Sequence, residues 1–311
     1  MAVTMESTMT GALALMRFAE FAGTMTVLGM ALFPFYALEP AKPGDTAALP
    51  AARAIMLAAA LIAALAAFGW MIVTFVEVAG SIDDLADPAT LSAFFFDTSF
   101  GGIWLLRLVA ASALAIAALV TSRGWFARNA ATTFAALLAG VLLASQAWIG
   151  HPVALTGAMR PVVVAAYVDH VLAAGTWIGG LPALGLVLNH ARRGGDKAMT
   201  EIEGALHRFS TMGMIAVVAV FAGGLVNAIS RLHSPVDLAN SVWGRTLLVK
   251  ILVFAALIVA ASINRFVFLP RLRADPGPTM ARLARSVIVE QALALVALAA
   301  AAWLGIQMPP A

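Results

Sequence analysis

An all-α polytopic membrane bundle of about eight transmembrane helices is the fold class this sequence predicts, and three observations predict it. The 311 residues are 62% hydrophobic and only 11% charged, with a mean hydropathy of +0.95. Soluble domains carry about 25% charged residues, so a soluble fold is excluded. Apolar runs of twenty or more residues recur along the chain, each long enough to cross a bilayer as a helix. The runs are continuous and rich in Ala and Leu, without the two-residue alternation of a membrane β-barrel.

The predicted spans cover about 10–37, 53–80, 101–121, 130–150, 161–188, 209–231, 243–269 and 286–307. The first ends at Pro40, Pro43 and Pro50. No Lys or Arg precedes Arg17, so the basic n-region of a cleaved signal peptide is missing and the first run reads as a retained span. The second runs into the acidic loop of Asp83, Asp84, Asp87 and Asp97. The third and fourth form a hairpin around Arg123 and Arg128, and Pro152 closes the fourth. The fifth leads to the basic loop of Arg192, Arg193 and Lys197. Pro235 separates the sixth from the seventh, and Pro270, Pro276 and Pro278 separate the seventh from the eighth.

Lys and Arg in alternate loops give the orientation. One side carries Lys42, Arg53, Arg123, Arg128, Arg192, Arg193, Lys197, Arg208, Arg271, Arg273, Arg282 and Arg285; the other carries only Arg160, Arg231 and Arg245. The positive-inside rule puts the twelve in the cytoplasm and both termini outside. The net charge of +3 therefore reflects orientation, not nucleic-acid binding. No linker, repeat or soluble segment interrupts the pattern, so residues 1–311 read as one membrane domain.

The polar residues inside the spans carry the functional information. Asp169-His170 lies in the fifth run, and an ionisable pair in a span costs kilocalories, so it marks a site. His170 sits about 13 Å in from the outer end at 1.5 Å per residue. His151, at a Gly-His-Pro turn ending the fourth span, faces it across a short outer hairpin, with Met159 between. These three are the candidate metal ligands. Met5 and Met9 of the outer N-terminal tail and His233 of an outer loop are further candidates; Met1, Met5 and Met9 are four apart and share one face of a helix. The alternatives are a hydrogen-bonded structural His170, a helix-capping His151 and a solvated His233. Imidazole with thioether suits copper, whereas imidazole alone also suits zinc, iron or nickel. There is no cysteine, so disulfides and thiolate ligands are excluded.

Asp169 is expected to orient His170, or to serve another helix. Trp177, two turns after His170, is placed to wall the site. Glu20 and Glu77 are candidates for a cation pathway, with Arg17 one turn from Glu20 as its neutralising partner. Asn227 and Asn264 are expected to hydrogen-bond between helices, and Gly175, Gly179, Gly223 and Gly224 to allow close packing. No phosphate-binding loop, zinc-protease motif or nucleophile elbow is present. The chain is therefore not read as an enzyme.

Several motifs form an ordered set. They are Phe100-Gly101 with Trp104 and Arg107, the Gly150-His151 turn, and Asp169-His170 with Trp177-Ile178-Gly179-Gly180. Arg208-Phe209-Ser210, Gly224 with Asn227, Trp243-Gly244-Arg245 with Lys250, and Asn264-Arg265 before Pro270 complete it. The set, strongest over about 100–307, resembles the copper resistance protein D (CopD) family. The resemblance implies a multi-pass protein of the bacterial inner membrane that moves copper from periplasm to cytoplasm. Copper is then cargo, Cu(I) or Cu(II), with His151 and His170 as its best-placed ligands. It also implies a separate small periplasmic copper-binding partner (CopC-like), since the outer loops leave no room for a fused β-sandwich. Membrane lipid is the other expected partner. Two other readings stay open: a non-transporting membrane partner in copper delivery or oxidase assembly, and a b-type cytochrome, for which a second histidine at the depth of His170 is lacking.

Overall fold

The structure, a computed structural model, describes residues 2–39, 50–120, 129–149, 157–192, 196–232 and 234–310. Among the described residues, nine helices of eleven residues or more form the bundle: α1 (Ala2–Tyr36), α2 (Pro50–Ala79), α3 (Gly101–Val120), α4 (Ala130–Ala144), α5 (Met159–Ile178), α6 (Leu181–Ala191), α7 (Asp196–Ile229), α8 (Val242–Ile263) and α9 (Pro276–Leu304). They supply eight membrane-length apolar spans, because α5 and α6 together form one, Met159–Ala191.

Local chemistry sets the helix ends. Asn129 begins α4 with a capping box: Thr132 N–H donates to Asn129 Oδ1 at 2.9 Å, and Asn129 N–H donates to Thr132 Oγ1 at 3.2 Å. Ser241 caps α8 by accepting from Gly244 N–H at 2.8 Å. Between α2 and α3 the chain forms short helical turns, one started by Asp87. Its carboxyl is held below the ordinary value of 3.8 by hydrogen bonds from the Thr90 hydroxyl and the N–H groups of Ala89 and Thr90.

Several boundaries differ from the sequence expectation. The first, sixth and eighth spans begin earlier than predicted, because their helices continue through polar turns beyond the apolar run: α1 from Ala2, α7 from Asp196, α9 from Pro276. Glu290, expected near the inner end of its span, therefore lies at the middle of α9. The fifth span breaks at Gly179-Gly180. Two glycines precede Pro182, which has no N–H to continue the ladder and sits in the first turn of α6.

Helix α1 is the hub. Two thirds of its most apolar window is buried (67%), against 11% for the span containing α8, which therefore lies at the periphery of the bundle. Val27, Met30, Ala31 and Phe33 of α1 are fully enclosed. It packs on α2, α4, α5 and α9, while α2 packs on α3, α3 on α4, α5 on α7, and α8 on α9. Glycine permits the closest approaches. A Cβ on Gly179 would stand 1.8 Å from Met25 O, and one on Gly29 would stand 2.0 Å from Gly179 C. The expected packing role of Gly179 is thus seen at the α1–α5 crossing.

Candidate metal site

His170 lies on α5 where α7 crosses it. Gly223 and Gly224 make the crossing close: a Cβ on Gly224 would meet His170 Cε1 and Nδ1 at 3.3 Å, and one on Gly223 would lie 2.5 Å from Ala166 O. The imidazole fits against the bare backbone of α7, and its Nδ1 is 2.8 Å from the carbonyl oxygen of Val220. A carbonyl only accepts, so Nδ1 carries the proton and donates. In the neutral ring Nε2 then holds a free lone pair, the form in which histidine ligates a metal. Facing Nε2 at 3.4 Å is Nζ of Lys250 on α8. Around the C-terminal end of α7, Arg231 donates to the carbonyl and side-chain oxygens of Asn227, and Asn227 Nδ2 donates to Gly223 O at 2.8 Å. Asn227 therefore bonds within its own helix, not between helices as expected, because the O of Gly223 one turn back is in reach.

Sequence reasoning gave Lys250 no role of its own. The available signal was its place: Lys42 and Lys197 lie outside the spans, whereas Lys250 stands eight residues into the seventh. An ammonium at that depth requires a partner.

The other predicted residues are dispersed. His151 and His233 lie outside the described residues, as does the side chain of Met5. Met9 is half-buried on α1. Met159 is the first residue of α5, 59% exposed. Eleven residues of continuous helix put it about 16 Å along the axis from His170. These two cannot hold one ion, since metal–ligand bonds are about 2 Å. Asp169 does not make the Nδ1 contact expected of it. It is exposed and opens onto a cleft of about 720 Å³ shared with Tyr36, Thr176, His207 and Arg208. Adjacent helical residues point about 100° apart, and Nδ1 is taken by Val220 O. Trp177 is buried, packs edge-on against Phe254, and walls a different cavity of about 300 Å³ together with Ser210, Asn264, Arg265 and Glu290. In that cavity Asn264 Nδ2 donates to Glu290 Oε1 at 2.5 Å, the interhelical bond expected of Asn264. Glu77 is exposed on α2. Among the described residues, no group of three or more His, Asp or Glu stands close enough to enclose a metal ion.

Glu20 departs from expectation. Its partner is Arg107 of α3, not Arg17: Arg107 donates to Glu20 Oε1 at 2.5 Å, with both side chains fully buried. Arg107 also donates to Ser145 Oγ (2.8 Å) and Leu142 O (3.3 Å), joining α1, α3 and α4. Its guanidinium lies over the rings of Trp70 and Trp104, and that of Arg17 lies 4.5 Å over Trp70. The aromatic face draws Arg17 aside, leaving the carboxylate to the arginine of the facing helix.

The family described as "Copper resistance protein D-like, N-terminal domain" matches residues 5–162, and "Copper resistance protein D" matches residues 203–304. The chain is 30% identical over 299 residues to Copper resistance protein D of Pseudomonas syringae pv. tomato, covering 94% of this chain and 95% of that protein. It is 34% identical over 181 residues to Inner membrane protein YebZ of Escherichia coli (strain K12), 57% of this chain and 58% of that one. Copper transport protein CutJ of Bacillus subtilis (strain 168) is 27% identical over 184 residues, 57% of this chain and 32% of that one. No solved structure matches the chain significantly.

Proposed function

This chain belongs to the copper resistance protein D family, and from that premise we propose that it carries copper ions across the bacterial inner membrane, from the periplasmic to the cytoplasmic side. A role in copper handling follows from the family itself. Inward movement, the orientation with both termini periplasmic, and the ligands are the proposal. The twelve-to-three distribution of loop Lys and Arg supports the orientation. Packing of α1 on both α2–α4 and α5 supports reading residues 1–311 as one membrane domain.

The observation that carries the ligand assignment is the tautomer of His170. Its Nδ1 proton is committed to Val220 O, and its Nε2 lone pair faces Nζ of Lys250 at 3.4 Å. His151, at the outer end of the preceding span, is its proposed companion, and Met159 with the tail methionines Met5 and Met9 forms an entry point nearer the surface. A CopC-like periplasmic protein is the proposed donor. Movement is downhill or coupled to protons, in keeping with the lack of a phosphate-binding loop in the sequence.

The test is copper uptake into proteoliposomes holding wild-type chain or the His170→Ala variant. Uptake should be lost in the variant while it remains folded and correctly inserted. Undiminished uptake would remove His170 from the pathway.

A further inference from the structure

The same geometry shows what stands against Nε2 of His170. With Nδ1 donating to Val220 O, the Nε2 lone pair is the acceptor for Lys250 Nζ at 3.4 Å. Lysine's ammonium has three donors and no lone pair, so it engages Nε2 only by donating to it. A metal ion needs that same lone pair and would stand about 2 Å from the nitrogen, in the space the ammonium faces. Two cations cannot share one lone pair. The other charge acting on Lys250 is also positive, Arg231 from the C-terminal end of α7. The flexible four-carbon lysine stem lets the ammonium withdraw without moving α8.

We propose that Lys250 is a built-in competitor that occupies the metal-binding nitrogen of His170 and must be displaced by the incoming ion; this rests on the reading of His170 as a copper ligand. The consequence is a threshold. Displacing the ammonium costs the same for every metal, so it lowers every affinity by one factor. Divalent ions rank with copper above zinc and nickel at nitrogen sites. A fixed penalty therefore leaves copper bound and lifts the weaker ions out of their working range. Between ions, Lys250 keeps the imidazole hydrogen-bonded.

The test uses the full chain in detergent as wild type, Lys250→Leu, His170→Ala and the double variant. Cu(II) affinity is read by competition with a chromophoric chelator and Zn(II) affinity by titration calorimetry. Lys250→Leu should tighten both by at least about tenfold, the factor that each ~1.4 kcal/mol of removed competition gives. His170→Ala should abolish both, and the double variant should match it. Unchanged copper affinity in His170→Ala overturns the ligand assignment itself. Copper lost in His170→Ala but unchanged in Lys250→Leu overturns the competitor alone. Copper weaker in Lys250→Leu also overturns it, by making the lysine a ligand. Should Lys250→Leu misfold, Lys250→Ala, which removes both the donor and the charge, must show the same tightening.

Discussion

Replacing Arg107 by Met tests what joins the first, third and fourth spans. Both Arg107 and Glu20 are fully buried, so neither charge has water to fall back on. The methionine stem keeps much of the packing against Trp70 and Trp104 but removes all three donated bonds, to Glu20, Ser145 and Leu142 O. Glu20 Oε2 already lacks a partner, so the variant strands a whole carboxylate in a low-dielectric interior. Breaking a buried pair from one side costs about 3–5 kcal/mol. At ~1.4 kcal/mol per factor of ten, the lower figure shifts the unfolding equilibrium more than a hundredfold. Replacing both partners with apolar residues strands no charge, and such replacements are often neutral or better. Arg107→Met/Glu20→Leu should therefore be more stable than Arg107→Met alone. The assay is reversible unfolding in mixed micelles, read as a double-mutant cycle. A single variant as stable as wild type, or losses that simply add in the double, would refute the reasoning.

Two further predictions concern packing and pH. Gly179→Ala must push α1 from α5, because its Cβ would lie 1.8 Å from Met25 O; it should cost at least about 1–3 kcal/mol of stability in the same assay. Gly102→Ala, with nothing within 4 Å of its Cβ, should cost nothing. The Asp87 carboxyl is depressed in the folded loop, so it contributes stability above its unfolded value and loses it as pH falls through the folded one. The protection factors for hydrogen exchange in Ala89–Ser92 should be constant near neutrality and fall only below the ordinary carboxylate range; protection that falls on raising the pH toward neutral would contradict it.

The number and rough position of the spans were legible because a bilayer leaves the backbone no partner but itself. Each crossing must be a long apolar helix, and such runs stand out in any window. The packing role of Gly179 was legible for a related reason, since only a residue without a side chain permits backbone contact. The break before α6 was written as Gly179-Gly180-Leu181-Pro182 but was masked by the apolar run continuing through it. The informative place, His170, was legible because an ionisable residue in a span is expensive. Its surroundings were not. Sequence offered Asp169 next door and Arg17 one turn from Glu20, both local pairings. The structure instead gives His170 Val220 O and Lys250, 50 and 80 positions away, and gives Glu20 Arg107, 87 away. The sequence by itself determined that this is an eight-span helical membrane protein with a polar pair in its fifth span, because hydrophobicity and charge cost are properties of single residues and short runs. Only the tertiary structure decided which polar groups meet, because partner choice depends on which helices cross, at what depth, and which faces two glycines allow to touch.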